Sequence, residues 1–239
     1  MAYRMTKRTL DPITIDKFSV LTYNVSGNTK NEAEVTSVIR MKMISKILLD
    51  NLPDVVCLLD VSVANYQTLL KLLSNKYILF QVFIEEKNKY GEVLLCLRDT
   101  TAIPEGSQPY YYDLTIGNGR VVGTELYIKT LDLMVNILLT KLQSPEQFVL
   151  IEQVAKPFKH MILMGDFPDK NIEHDYSDAW IKMGCPSYLR NYRRSRILWT
   201  KNSDIIPINL SLLGTAVIKK INLPPSSHLG LMAIFQKKE

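Results

Sequence analysis

The sequence predicts an α/β fold in four layers, two packed β-sheets with helices on their outer faces. Three observations predict it. Short β-rich segments dominate, and helical patterns interrupt them at intervals instead of forming a separate block. Strand candidates such as Val55-Val56-Cys57-Leu58-Leu59 are continuous apolar runs, as expected for strands covered on both faces. The chain has 239 residues, 46% hydrophobic and 22% charged, an ordinary globular composition with enough length for one sizeable core. With no linker and no internal repeat, a single domain over 1–239 is expected.

The elements follow in order. Phe18 to Tyr23 is β-rich and ends at the polar turn Asn24-Val25-Ser26-Gly27-Asn28. Val35, Val38, Ile39, Met43, Ile47 and Leu48 recur at helical spacing, which predicts a helix from Glu34 to Asp50, closed off by Pro53. After the Val55–Leu59 strand, a helix from Val63 to Leu73 carries Tyr66, Leu69, Leu70 and Leu73 on one face. Strands are expected over 77–83, 92–97, 121–128 and 133–139. The loop among them contains Pro104, Gly106, Pro109, Gly117 and Gly119. It also holds Tyr110-Tyr111-Tyr112; three consecutive tyrosines cannot share one face, so an exposed patch facing a partner is expected. A third helix runs from Pro145 to Ala155, with Ser144 as cap, Pro145 at the first position and Glu146 in the first turn. Strands at 160–164, 196–199 and 230–235 complete the list.

Several function classes are excluded. The longest apolar runs reach about 6–9 residues, against ~20 for a membrane span. Met1-Ala2-Tyr3-Arg4 begins no apolar signal core, so an intracellular protein, cytoplasmic or nuclear and not secreted, is expected. Cys57, Cys96 and Cys185 are odd in number and lack C-x-x-C spacing, which argues against a disulfide framework or a zinc site. The net charge of +5 is compatible with nucleic acid or an acidic partner without selecting either.

Five motifs stand in a telling order: Leu21-Thr22-Tyr23-Asn24-Val25, Pro53-Asp54 through Asp60-Val61, Met164-Gly165-Asp166-Phe167-Pro168, Arg194-Ser195-Arg196-Ile197-Leu198 and Ser226-Ser227-His228. Together they resemble the endonuclease/exonuclease/phosphatase family across nearly the whole chain. Within it the likeness is greatest to the 5′-tyrosyl-DNA phosphodiesterases. Thr140-Lys141-Leu142-Gln143-Ser144, the segment from Ile205 to Gly214 and the ending from Pro225 to Met232 carry that narrower likeness.

The resemblance implies a Mg²⁺-dependent phosphodiesterase site, and this chain departs from it. Asn24, Asp166 and His228 match the pattern. The metal-binding Glu is replaced by the shorter Asp60, a loop His by Lys141, an Asn by Pro168, and two Asp by Ser195 and Ser227. With Ser227 before it, His228 loses the acid that would fix its tautomer. The remnant pocket is thus Asn24, Asp60, Lys141, Asp166, Ser195, Ser227 and His228, with no functional catalytic residue expected. Asp60 is the one residue left to bind metal, and its other reading is a cap on a neighbouring turn or helix. Asn24 and Asp166 are expected to bond turns in the pocket floor, and His228 to be a satisfied, half-buried histidine.

Arg190, Arg193, Arg194 and Arg196, with Tyr188 and Tyr192 interleaved, read equally as a solvated basic loop or as a phosphate and nucleic-acid patch completed by Lys141. The expectation is a pseudoenzyme with a binding or assembly role, an unidentified protein partner and no cofactor. The Ile-, Lys-, Asn- and Tyr-leaning composition suits an AT-rich genome, such as that of a large DNA virus. The alternatives are a weak Mg²⁺-dependent phosphodiesterase acting on DNA ends and a weak, non-specific nucleic-acid binder.

Overall fold

Alternation along the strands decides which side chains meet between the sheets and which meet the helices. In β1 (Lys17–Asn24), Phe18 and Val20 join one core cluster while Leu21 and Tyr23 join another. The computed structural model describes residues 16–26, 34–82, 90–107, 109–114, 119–167, 175–185 and 194–238. After β1 come α1 (Glu34–Asn51), β2 (Val55–Ser62), α2 (Val63–Leu73), β3 (Tyr77–Val82), β4 (Tyr90–Leu97), β5 (Thr101–Ala102), β6 (Tyr110–Leu114) and β7 (Gly119–Ile128). Then follow β8 (Leu133–Lys141), α3 (Glu146–Ala155), β9 (Met161–Asp166), β10 (Tyr176–Asp178), α4 (Ala179–Lys182), β11 (Ser195–Thr200), β12 (Ile205–Leu213) and β13 (Gly230–Lys237).

The first sheet has the order β12-β13-β1-β2-β4-β3, and the second β10-β11-β9-β8-β7-β5 with β6 also on β7. The pairs β1–β2 and β8–β9 are parallel, so four strands end together at one end of the sandwich. Between the sheets lies a core of Phe18, Val20, Val55, Cys57, Leu59, Leu139, Ile162, Met164, Ile197 and their neighbours. The outer face of the first sheet packs against α1 and α2 through Met41, Ile44, Leu48, Leu69 and Leu73. The outer face of the second packs against α3 through Phe148, Ile151 and Ala155. Helix, sheet, sheet, helix is the four-layered arrangement that the sequence predicts.

Some details differ. The buried face of α1 is Arg40, Met41, Ile44, Ser45 and Leu48; Val38, Ile39, Met43 and Ile47 are only half-buried. The helix is turned because its flank packs on α2, where Ser37 Oγ donates to Asn65 Oδ1 at 3.0 Å. Asn65, which accepts that bond, is buried, and Leu70 is 38% exposed. At α3, Pro145 occupies the cap position and Ser144 supplies no capping bond. The Gln147 side chain takes over, its Oε1 accepting from the backbone N–H of Gln143 at 2.7 Å and Ser144 at 3.2 Å.

Tyr110–Tyr112 belong to a strand, β6, rather than a loop. Tyr110 is packed, not presented: its ring lies 6.2 Å from that of Phe158 and its hydroxyl donates to Asn136 Oδ1 at 3.2 Å. It fits because Gly123 opposite has no Cβ, which would fall 2.0 Å from the Tyr110 ring. The side chains of Tyr111 and Tyr112 lie outside those described. The edge strand β12 is a full strand that the sequence pattern did not announce. It has a bulge between Pro207 and Asn209, where proline cannot donate to a ladder. Cys57, Cys96 and Cys185 are free thiols, the first two buried. No helix among the described residues is long and apolar enough to cross a membrane.

Candidate functional site

The strand ends gather the remnant residues. Asn24 closes β1 on the same face as Phe18 and Val20, and Asp166 closes β9 on the same face as Ile162 and Met164. Lys141 closes β8 in line with Ile137 and Leu139, and Ser195 opens β11 in line with Ile197. All four therefore point between the sheets at one end of the sandwich.

Asp60 gets there by a different route. Plain alternation would turn it with Val56 and Leu58 toward the helices. A register shift between Leu58 and Val61 inserts a bulge, and Asp60 sits there at φ 59°. Aspartate tolerates this left-handed conformation better than most side chains. The bulge re-aims the carboxylate into the cleft while Val61 returns to the helix side.

The five side chains form one continuous network. Lys141 Nζ donates to Asp60 Oδ1 at 2.6 Å and to Oδ2 at 2.7 Å. Asn24 Nδ2 donates to Asp60 Oδ2 at 2.9 Å and to Asp166 Oδ2 at 2.7 Å. Ser195 Oγ donates to Asp166 Oδ1 at 2.9 Å. The amide of Asn24 is oriented by the backbone N–H of Ser26, which donates to its Oδ1 at 2.9 Å and leaves the donor end for the two carboxylates. The three charged groups of the network carry one net negative charge.

Strand approach matters as much as residue type. Gly165 has φ 145°, and a Cβ there would lie 1.7 Å from the Thr140 carbonyl oxygen. Without it, β8 and β9 close up in register, with Lys141 opposite Asp166. The glycine of the Gly-Asp motif is therefore a packing requirement of the cleft.

The end of the chain forms the rim. Ser226 is buried, and its Oγ donates to the Asn24 carbonyl at 2.6 Å and accepts from the backbone N–H of His228 at 3.1 Å. Arg40, from α1, donates through Nε to the Pro225 carbonyl at 2.9 Å and through Nη2 to that of Ser26 at 2.8 Å. Arg40 and Ser226 thus pin the last motif to the first. Ser227 is exposed, and among the described residues its Oγ reaches only the Ser26 carbonyl at 3.3 Å and the Ser26 hydroxyl at 3.4 Å. His228 is half-buried as expected, but its ring makes no hydrogen bond among the described residues.

Sequence reasoning missed three residues here. Arg40 sits within a helix, where a cation is ordinarily assigned to solvent. The serine of the last motif passes as filler until its hydroxyl is seen to tie two loops. Glu92 was legible from alternation, because β4 points Leu94 and Cys96 between the sheets. Burial, above all, pushes the Cys57 thiol up; the Thr22 hydroxyl works against this, and the charges of Glu92 and Asp166 add to it.

Other expectations are corrected. Lys141, expected to face phosphate, is paired with Asp60. Asp60 does not cap the neighbouring helix; Ser62 caps α2, its Oγ accepting from the Asn65 N–H at 3.2 Å. Asp166 is bonded by the Asn24 and Ser195 side chains rather than by a turn. Arg196 is 1% exposed, on the face it shares with Leu198 and turned away from Ser195, so it belongs to no surface patch. Arg194 is exposed beside the site, where its carbonyl accepts from the Phe167 N–H at 2.9 Å. Pro168, Tyr188, Arg190, Tyr192 and Arg193 lie outside the described residues.

No family model matches the sequence, and no curated protein matches it. Solved structures do. A humanized D. rerio TDP2 carrying 14 mutations superimposes with a TM-score of 0.75 at 18% identity, covering 92% of this chain and 99% of that one. The chain has the endonuclease/exonuclease/phosphatase fold. D. rerio TDP2 complexed with single strand DNA product gives a TM-score of 0.74 at 17% identity over 92% and 99% of the two chains. An endonuclease/exonuclease/phosphatase family protein from Bacteroides thetaiotaomicron gives 0.75 at 11% identity over 93% and 98%.

The enzymes of this fold that the motifs resemble use Mg²⁺, and the residues present here do not fit it. Mg²⁺ requires oxygen ligands at ~2.0–2.1 Å in near-octahedral geometry. Both oxygens of Asp60 face an ammonium, and both oxygens of Asp166 face neutral donors. Asn24 turns its N–H groups, not its oxygen, toward the carboxylates. Among the described residues no three His, Cys, Asp or Glu side chains are grouped to hold a metal ion.

Proposed function

We propose that this chain is a non-catalytic protein of the endonuclease/exonuclease/phosphatase fold that acts by binding or assembly. One observation carries the reading: the Lys141 ammonium is seated on both oxygens of Asp60, where the resemblance puts the chief metal ligand. Phosphodiester hydrolysis at such a site needs a cation to draw charge off the phosphate and an oriented base for water. The cation position is taken, and Ser227 supplies no carboxylate to orient His228. Losing one general acid or base costs about 10²–10⁴-fold. Such losses are not additive, because the groups act as a unit.

The rim supports a binding role. Arg40 and Ser226 keep the two loops of the cleft assembled although its chemistry has gone. Free cysteines suit a reducing intracellular compartment, cytoplasm or nucleus, where a protein partner would be met. The test is an assay on 5′-tyrosyl-DNA and on a simple phosphodiester with Mg²⁺ or Mn²⁺. No turnover above background is expected. Turnover that vanishes in both Asp166→Asn and His228→Ala would overturn the proposal.

A second reading is weak, sequence-independent binding of single-stranded nucleic acid. Exposed Arg194 beside the cleft favours it, as does the single strand DNA product held by D. rerio TDP2. The net negative floor and the engaged Lys141 weigh against deep entry of a phosphate. Binding would therefore be at the lip, with a log–log salt slope of about 0.7 per phosphate neutralised. An Arg194→Glu variant with unchanged affinity and slope would remove this reading.

A further inference from the structure

We propose that Lys141 is the built-in cation of the cleft: its ammonium occupies the place a divalent ion would need, balances the carboxylates that remain, and keeps such an ion out. The inference rests on the non-catalytic reading and says how the pocket holds together without metal. Two carboxylates face the same space, Asp60 from the first sheet and Asp166 from the second, and they share a single amide nitrogen, Asn24 Nδ2. A neutral amide can bond both, but it cannot offset two like charges in a half-buried cleft. The ammonium can. It contacts both oxygens of Asp60 at 2.6 and 2.7 Å and starts from the last residue of β8, directly opposite Asp166 in the parallel ladder.

The backbone fixes both partners. Asp60 is aimed by its bulge and left-handed φ, and Lys141 by the close approach that Gly165 permits. The Lys141 side chain is 39% exposed and that of Asp60 21% exposed, so the pair lies at the cleft mouth where ions from solvent would enter. A Mg²⁺ ion about 2.1 Å from an Asp60 oxygen would lie hard against the ammonium, two like charges competing for one carboxylate. The ion pair also ties the first sheet to the second across the open end. A tethered cation does this with no dependence on ion concentration.

The experiment is a set of thermal melts on the full chain, with and without millimolar Mg²⁺ or Mn²⁺. Wild type is expected to be indifferent to either ion. Lys141→Met keeps the apolar stem and removes the charge; it should melt several degrees lower and be partly restored by the ions in a saturable way. Lys141→Arg keeps a cation and should remain indifferent. Asp60→Asn placed in the Lys141→Met background removes the repulsion, so it should recover stability and lose the ion response. A Lys141→Met protein that melts like wild type and ignores the ions would overturn the proposal, as would wild type stabilised saturably through Asp60. Should Lys141→Met fail to fold, Mn²⁺ titration of wild type followed by electron spin resonance decides: no saturable site is expected, and one abolished by Asp60→Asn would overturn it. Metal-dependent turnover by wild type would sink the functional reading. An altered melt pattern without turnover would sink this inference alone.

Discussion

The paired strands β1 and β2 carry a carboxylate at each end, and the two are held in opposite ways. At the far end Asp54, 6% exposed, accepts from the Ser19 N–H at 2.6 Å, the Ser19 hydroxyl at 2.7 Å and the Thr100 hydroxyl. Every donor there is neutral, and two come from the strand it pairs with. At the cleft end Asp60 is partly exposed, in a left-handed conformation, and held by an amide from the strand it pairs with and an ammonium from the other sheet. Both acids sit in the same motif. The first is part of a socket that the sheet needs whatever the protein does. The second owes its place to the cleft, where its ammonium partner comes from the opposite sheet. Comparing the two separates what the sheet demands from what the cleft demands.

The largest effect is expected where the cleft end is built. Gly165→Ala would drive a Cβ into the Thr140 carbonyl at a φ that L-residues avoid. The outcome should be no folded protein, or a loss of more than about 3 kcal/mol. Soluble yield and urea midpoint check this. A variant of near-normal stability would show that close strand approach does not form the cleft.

The two carboxylates give the next effect and test the contrast directly. Asp54→Ala leaves the Ser19 and Thr100 donors without an acceptor in a buried place and should cost about 2–4 kcal/mol. Asp60→Ala should cost about 1 kcal/mol or less, because the Lys141 ammonium can turn to water. Asp60→Gly should be the more stable of the two Asp60 variants by up to about 1 kcal/mol, since glycine relieves the positive φ. Urea denaturation of the three variants measures all of this. Equal losses for Asp54→Ala and Asp60→Ala would break the distinction between socket and cleft.

The same contrast explains what could be read from the sequence. The layers were legible because periodicity reports burial, and the bounds of α2 fall where Tyr66, Leu69 and Leu73 set them. The resemblance implies one pocket for Asn24, Asp60, Lys141, Asp166, Ser195, Ser227 and His228, and the first five of these form one hydrogen-bonded network. The bulge at Asp60 was not legible, since nothing in Leu-Leu-Asp-Val-Ser marks an inserted residue; only pairing with β4 reveals it. Nor was the Lys141–Asp60 pair, whose members are 81 positions apart and on different sheets. Nor was the strand that holds Tyr110–Tyr112, expected as a loop: it pairs with β7, where Gly123 makes room for Tyr110. In each case a long-range partner decides the outcome, and local pattern is silent about such partners.

The smallest expected effect belongs to the far end again, at His160, just before β9. Its Nδ1 accepts from the Asp204 backbone N–H at 3.3 Å and lies 3.1 Å from Ser203 Oγ, while Nε2 is 3.4 Å from Asp204 Oδ2. A backbone N–H pointed at Nδ1 requires that nitrogen to be unprotonated, so the ring is neutral with its proton on Nε2. Burial lowers its pKa first; Asp204 opposes this, and Lys159 and Lys237 add to it. The sign follows. The unfolded chain takes up a proton near pH 6.5, where the folded chain still resists it, so more protons are bound in the unfolded state. Stability from this group is complete above about pH 6.5 and declines as the pH falls toward the lowered folded value. The loss should be less than about 1 kcal/mol, because the site is only partly buried and Asp204 partly compensates. Urea midpoints at pH 7.5 and 5.5 for wild type and His160→Gln measure it, since glutamine keeps a polar side chain but cannot titrate. The wild type should lose more stability than the variant between the two pH values. An equal loss in both would mean that the acid sensitivity of the fold lies elsewhere, and an opposite sign would mean that Asp204 outweighs burial at this turn.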